Sequence, residues 1–127
     1  MKQQITTDKA PSAIGPYSQG ITSGNMVFVS GQIPLNPASG ELISEDIQAA
    51  TRQVLENLRA ILQAGGADLE QVVKVTVFLK DMADFQKMNE VYAEFFDANP
   101  PARACIQVAG LPRDARVEME AMALVQG

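Results

Sequence analysis

The chain has 127 residues, 46% of them hydrophobic, with 15 acidic against 10 basic side chains, a formal charge of −5 and no histidine. This length and composition suit one globular domain covering residues 1–127, with a real core. The acidic balance and the lack of a Lys/Arg block argue against a nucleic-acid partner, and no run is long and apolar enough to span a bilayer.

The N-terminal stretch Met1–Lys9 has no apolar core of signal-peptide length, and Cys105 is the only cysteine. A cytoplasmic protein without intrachain disulfides is expected, its stability resting on packing. Up to Glu41 the sequence reads as short strands broken by turn chemistry at Gly15-Pro16, Ser23-Gly24-Asn25, Gly31, Ile33-Pro34 and Asn36–Gly40, with Met26–Ser30 the clearest strand. From Ser44 to Ala64 the apolar residues Ile47, Ala50, Val54, Leu55, Leu58, Ile61 and Leu62 recur at helical spacing. Ser44 is the expected N-cap, Glu45 and Asp46 suit the positive dipole end, and Gly65-Gly66 supplies a left-handed stop.

Val72–Leu79 is rich in β-branched residues and reads as a strand, with Val73, Val75, Val77 and Leu79 on one face and Val72 and Phe78 on the other. Asp81 is placed to cap a second helix whose buried stripe is Phe85, Met88, Tyr92, Phe95 and Phe96, ending at Asn99-Pro100-Pro101. Two strands follow, Ala102–Val108 and Val117–Val125. The order predicts an α+β fold, a mixed sheet with two helices packed on one face. Apolar residues on both sheet faces predict in addition a homo-oligomer that covers the second face.

Without histidine, and with one cysteine, the chain holds no Ser-His-Asp triad, no Cys-His pair and none of the usual zinc sites, and no phosphate-binding glycine loop marks a nucleotide cofactor. No cofactor or metal is expected. Period-two alternation sends Arg103, Cys105 and Gln107 to one face of their strand and Ala102, Ala104, Ile106 and Val108 to the other, and the small apolar set is expected under the helices. With Val117, Met119, Ala121 and Ala123 also facing the helices, Glu118 and Glu120 would then share a face with Arg103. Such a group reads as a guanidinium clamp for a carboxylate beside a water-orienting acid; on the residues alone a cross-strand ion pair is the commoner arrangement.

Asn89 puts an amide on the edge of the apolar helix stripe, either tying helix to loop or meeting a ligand. Ser30-Gly31 at a strand end reads as a bulge or as a close backbone approach to an anion. Tyr17 is a loop aromatic, and Cys105 by default a small buried hydrophobe.

At these same positions the chain closely resembles the RidA/YjgF family, from about Ala10 to the C-terminus. The resemblance lies in Ala13-Ile14-Gly15-Pro16-Tyr17-Ser18-Gln19-Gly20, Val29-Ser30-Gly31-Gln32-Ile33-Pro34, the Asn-Pro-x-x-Gly loop ending at Gly40, Pro101-Ala102-Arg103-Ala104-Cys105 and Val117-Glu118-Met119-Glu120. It implies a chorismate-mutase-like homotrimer with sites in the clefts between subunits. It implies further a metal-free deaminase that hydrolyses 2-aminoacrylate and related 2-imino acids to 2-keto acids and ammonia, a damage-control role. By the same resemblance Arg103 binds the substrate carboxylate and Glu118 positions the attacking water, while Tyr17, Ser30, Gly31, Asn89 and Cys105, the last through its backbone, contribute to binding.

Two departures from relatives bear on the cleft: the stretch Phe96–Pro101 is shorter than in several, and Ala104 stands where many carry Ser. A non-catalytic 2-keto-acid or amino-acid sensor would use the same Arg103 clamp and is the competing reading. Ribonuclease activity, ascribed to some relatives, ranks last because the chain offers neither a basic groove nor a histidine.

Overall fold

The computed structural model describes residues 1–125. Six strands, β1 (Lys2–Ile5), β2 (Gly20–Ser23), β3 (Met26–Gln32), β4 (Val72–Leu79), β5 (Ala102–Gln107) and β6 (Val117–Leu124), form one sheet in the order β1-β2-β3-β6-β4-β5. Two helices, α1 (Ile47–Ala64) and α2 (Phe85–Phe95), complete the α+β architecture. Among the described residues only β4 and β5 run parallel, joined by the crossover through α2; every other strand pair is antiparallel. No helix among the described residues is long and apolar enough to cross a membrane.

The core lies between the helices and one sheet face. Val54, Leu55, Leu58, Ile61 and Leu62 of α1 meet Val27 and Val29 of β3, Val75, Val77 and Leu79 of β4, and Val117, Met119, Ala121 and Ala123 of β6, all of them buried. The expected stripe of α1 is therefore the observed one, because a 3.6-residue repeat leaves only one face to bury. Its cap differs from expectation. Asp46, not Ser44, is the N-cap, accepting from Gln48 N at 3.0 Å, since the extended backbone of Asp46, the residue directly before the first helical one, puts its carboxylate against the free amides of the first turn. Asp46→Ala is expected to remove about 1 kcal/mol of stability, read as a lower urea midpoint at unchanged slope.

Asp81 likewise caps a one-turn 3-10 segment, Met82–Asp84, and α2 starts only at Phe85. In α2 the buried set is Met88, Val91 and Tyr92, followed by Phe96 just past the helix, while Phe85 and Phe95 are half-buried.

The face assignment of β4 is corrected at its start. A register shift against β6 between Val72 and Lys74 inverts the alternation there, so Val72 enters the core and Val73 is 45% exposed. The sheet face opposite the helices carries Phe28, Lys74, Thr76, Phe78, Ala104, Ile106, Glu118, Glu120 and Met122; Phe28 is 39% and Ile106 46% exposed.

Candidate active site

A cleft of about 640 Å³ opens beside the β3–β6 junction. Pro11, Ile14, Tyr17, Ile33, Leu35 and Pro112 make its apolar wall, and Ser30, Gly31, Gln32, Arg113, Glu118 and Glu120 its polar floor and rim. The floor is a bulge: pairing of β3 with β6 shifts register between Val29 and Gln32, so Ser30 and Gly31 together stand opposite Glu120. The β3 side of that bulge is tied down at Ser30. Ser30 N donates to Gln19 O at 3.0 Å, Ser30 Oγ donates to Ser18 O at 2.5 Å, and Gln32 Nε2 donates to Ser30 O at 3.1 Å. With its one hydroxyl proton given to Ser18, Ser30 can only accept from a ligand.

Gly31 is where the carboxylate of Glu118 lies. A Cβ on Gly31 would overlap Glu118 Oε2 and stand 3.0 Å from Cδ and 3.3 Å from Cγ, so the half-buried acid occupies the space that a side chain would fill. Burial pushes the Glu118 carboxyl above its ordinary pKa, and the neighbouring charge of Glu120 adds to the shift.

The cleft wall is held by buried amides. Gln19, 5% exposed, donates to Pro11 O at 2.8 Å and to Thr7 O at 3.0 Å and accepts from Thr7 N at 2.8 Å, which pins the segment before Tyr17. Asn57 of α1 donates to Leu35 O at 3.0 Å and to Ile33 O at 3.3 Å. Tyr17 itself is 52% exposed, its hydroxyl 3.4 Å from Ile14 N.

Arg103 is elsewhere, and here the expected arrangement is overturned. Arg103 and Cys105 pair in register with Val75 and Val77, whose side chains are in the core, so both point to the helix side of the sheet. Glu118 and Glu120 pair with Phe78 and Thr76 and point to the opposite side. Within one protomer the guanidinium and the two acids therefore do not share a face, and the small set Ala102, Ala104 and Ile106 is exposed rather than under the helices. Sorting the faces of β5 by polarity fails because β5 is an edge strand with only β4 beside it. A polar side chain on its inner face still reaches solvent past the end of the helix layer.

On that side α2 receives Arg103. Its Nη1 donates to Asn89 Oδ1 at 2.6 Å, and its guanidinium carbon stands 4.7 Å from the Tyr92 ring centroid and 5.6 Å from that of Phe85. Among the described residues Arg103 forms no ion pair, whereas Arg52, Arg59, Lys80 and Arg116 each do. A cation so cradled without an acid is suited to an incoming anion. Val108 N donates to Leu79 O, and strand alternation then turns the N–H groups of Arg103 and Cys105 away from β4, to the free edge. Burial pushes the Cys105 thiol up, against the pull of Arg103, so the sulfur stays protonated.

The site residues read from the sequence thus form two groups: Tyr17, Ser30, Gly31 and Glu118 at the cleft, and Asn89, Arg103 and Cys105 at the β5 edge. Phe85, Tyr92, Gln19 and Gln32 were missed as supports. The signal for the first two was the spacing of Phe85, Asn89 and Tyr92 on one helix stripe. Among the described residues no group of three or more Cys, Asp or Glu side chains is placed to hold a metal ion.

The family model described as Endoribonuclease L-PSP matches residues 7–125. The chain belongs to the RidA/YjgF family. Among RidA/YjgF relatives, a RutC family protein of Pyrococcus horikoshii is 56% identical over 97% of this chain and 98% of its own length. The 2-iminobutanoate/2-iminopropanoate deaminase of Escherichia coli K12 is 48% identical over 98% of both chains. In three dimensions the crystal structure of E. coli TdcF with bound serine superposes with a TM-score of 0.94 at 48% identity, covering 98% of this chain and 99% of that one.

Proposed function

We propose that the protein is a cytoplasmic imine and enamine deaminase that hydrolyses 2-aminoacrylate and related 2-imino acids to 2-keto acids and ammonia without a metal or cofactor. The observation that carries the reading is that one chain, 48% identical to a named imine deaminase, holds both an acid-free, cradled Arg103 and, on the other sheet face, a half-buried Glu118 of raised pKa. A relative holding bound serine, a compact amino acid with one carboxylate, supports a ligand of this size and charge.

Because the two groups lie on opposite sheet faces, the reading requires a site completed between copies: the β5 edge of one subunit against the open face and cleft of the next, in a homotrimer. The exposed Phe28 and Ile106 support burial of that face. In the assembled site Arg103 grips the substrate carboxylate, helped by the outward Cys105 N–H and the Asn89 amide, while the imine carbon lies over Gly31 near Glu118. Tyr17 borders the side chain of the substrate and Ser30 accepts a hydrogen bond from the imine or water. Glu118 takes a proton from water as its oxygen bonds to the imine carbon. Starting from the protonated imine (C=NH2+), the carbinolamine so formed takes that proton back on its nitrogen, the C–N bond breaks and ammonia leaves, and the hydroxyl proton passes to Glu118 as the C=O of the keto acid forms. An imine already hydrolyses in water, so orientation, a placed water and a base of raised pKa suffice.

The test couples threonine dehydratase to the protein and traps the imine with semicarbazide. Suppressed semicarbazone formation is the expected result. Unchanged trapping, together with binding of 2-ketobutyrate, would instead establish the sensor reading, which the Arg103 cradle serves equally well.

The acid limb of the pH profile carries a second expectation. Glu118 must be ionised to act as base; Tyr17, Arg113 and Glu120 line the cleft with it, and Glu120 is the charge that acts on it. Glu120→Gln removes the like charge, favours the ionised form and lowers the Glu118 pKa, so the acid limb of kcat/KM moves to lower pH. A limb that stays in place would show that Glu118 is not the titrating base.

A further inference from the structure

Arg103 has solvent on one side and no acid beside it, yet three contacts hold its guanidinium, all from one stripe of α2 at positions i, i+4 and i+7: Phe85, Asn89 and Tyr92. We propose that Tyr92 is a positioning residue for ligand binding, its ring face being the platform that orients the Arg103 guanidinium toward a carboxylate. The proposal rests on the Arg103 clamp described above and adds the residue that orients it.

Of the two rings, Tyr92 is the nearer, at 4.7 Å against 5.6 Å, and the better anchored. It is 6% exposed and packs on Phe96 with ring centroids 4.8 Å apart, whereas Phe85 is only half-buried. A platform that cannot move restricts the cation above it, so the rotamer freedom that a flexible Arg loses on gripping its ligand is already given up in folding. Asn89 completes the arrangement. One guanidinium edge is spent on its Oδ1, which leaves the other edge for the fork that matches a carboxylate.

The ring, rather than the hydroxyl, is the working part. The phenol oxygen is buried without a hydrogen-bond partner among the described residues. Burial holds its pKa up, at about 12, against the opposing influence of Arg103, so the ring stays uncharged and presents an ordinary aromatic face.

The experiment compares wild type, Tyr92→Leu, Tyr92→Met and Tyr92→Phe. Calorimetry gives the Kd for 2-ketobutyrate, steady-state kinetics on a dehydratase-generated imine give KM and kcat, and thermal unfolding reports the fold. Loss of the aromatic face is expected to raise Kd and KM together by about 5- to 10-fold, with kcat changed less than about twofold. Tyr92→Phe is expected to recover most of that affinity. Whichever of Tyr92→Leu and Tyr92→Met folds serves for the comparison. An unchanged Kd in a folded non-aromatic variant would overturn the proposal, and so would an equal loss in Tyr92→Phe, which would assign the effect to the hydroxyl. A fall in kcat with Kd unchanged would overturn it as well. Absence of turnover in the wild type would sink the deaminase reading alone, since the keto-acid Kd series tests the platform independently.

Discussion

Arg103→Ala is expected to lower kcat/KM for imine hydrolysis by about 100- to 1,000-fold. The estimate follows from losing a charge-assisted, two-point grip on a carboxylate, about 3–4 kcal/mol at the transition state. The fold should be almost indifferent, because the guanidinium is bound by one neutral amide and two ring faces and has no acid to leave unpaired. The loss should fall on KM and on the Kd for 2-ketobutyrate as well as on kcat, whereas Glu118→Gln should fall mainly on kcat. The two variants also test where the site is assembled. If Arg103 of one subunit works with Glu118 of the next, mixing the two inactive variants in equal amounts by co-expression regenerates intact sites. Each site needs one subunit of each kind in the right order, a half times a half, or about a quarter of sites in a closed ring. Recovery of activity near that level supports a shared site, and a mixture as inactive as its parents would exclude it.

Gly31→Ala is the second large effect, expected to reduce kcat by about 10- to 100-fold through misplacement of the Glu118 carboxylate. The bulge cannot easily yield, since the amide of Ser30 and the carbonyls of Ser30 and Gly31 are all bonded to Gln19 and Gln32. The acid must therefore move, and stability should fall by about 1–3 kcal/mol, as for other overpacked positions. Because all three nearest atoms to the added methyl belong to Glu118, the penalty should couple to that residue. In a Glu118→Ala background Gly31→Ala should cost little further stability or activity, a double-mutant cycle with strong interaction. Additive losses would mean that Gly31 serves through its own backbone and not by making room for the acid.

The elements were legible wherever a period was unambiguous. The stripe of α1, the span Val72–Leu79 and the buried alternation of β6 at Val117, Met119, Ala121 and Ala123 all stand as the sequence implied. Errors came at ends and edges. Asp46 displaced Ser44 as a cap because the two differ only in where the backbone turns, and Val72 exchanged places with Val73 because a bulge inverts alternation without any sign in composition. The candidate site residues were recognisable as types, but the stripe of Phe85, Asn89 and Tyr92 read as buried core with an amide at its edge, and nothing in it placed Arg103 there.

What residue order determined about this protein is its inventory: an amphipathic helix with its glycine stop, strands with their turns, no histidine for acid-base work, and motifs specific enough to place it among RidA/YjgF proteins. Those properties are local, set by spacing and by side-chain chemistry within a few residues. The faces of β5 were decided only in the folded chain. Parallel pairing of Arg103 with the buried Val75 turns the guanidinium toward α2, and antiparallel pairing of Glu118 with Phe78 turns the acid to the other side. Alternation along a strand says which side chains share a face but not which face that is. Only register against a neighbour already committed to the core settles it, and that register joins residues far apart in the chain.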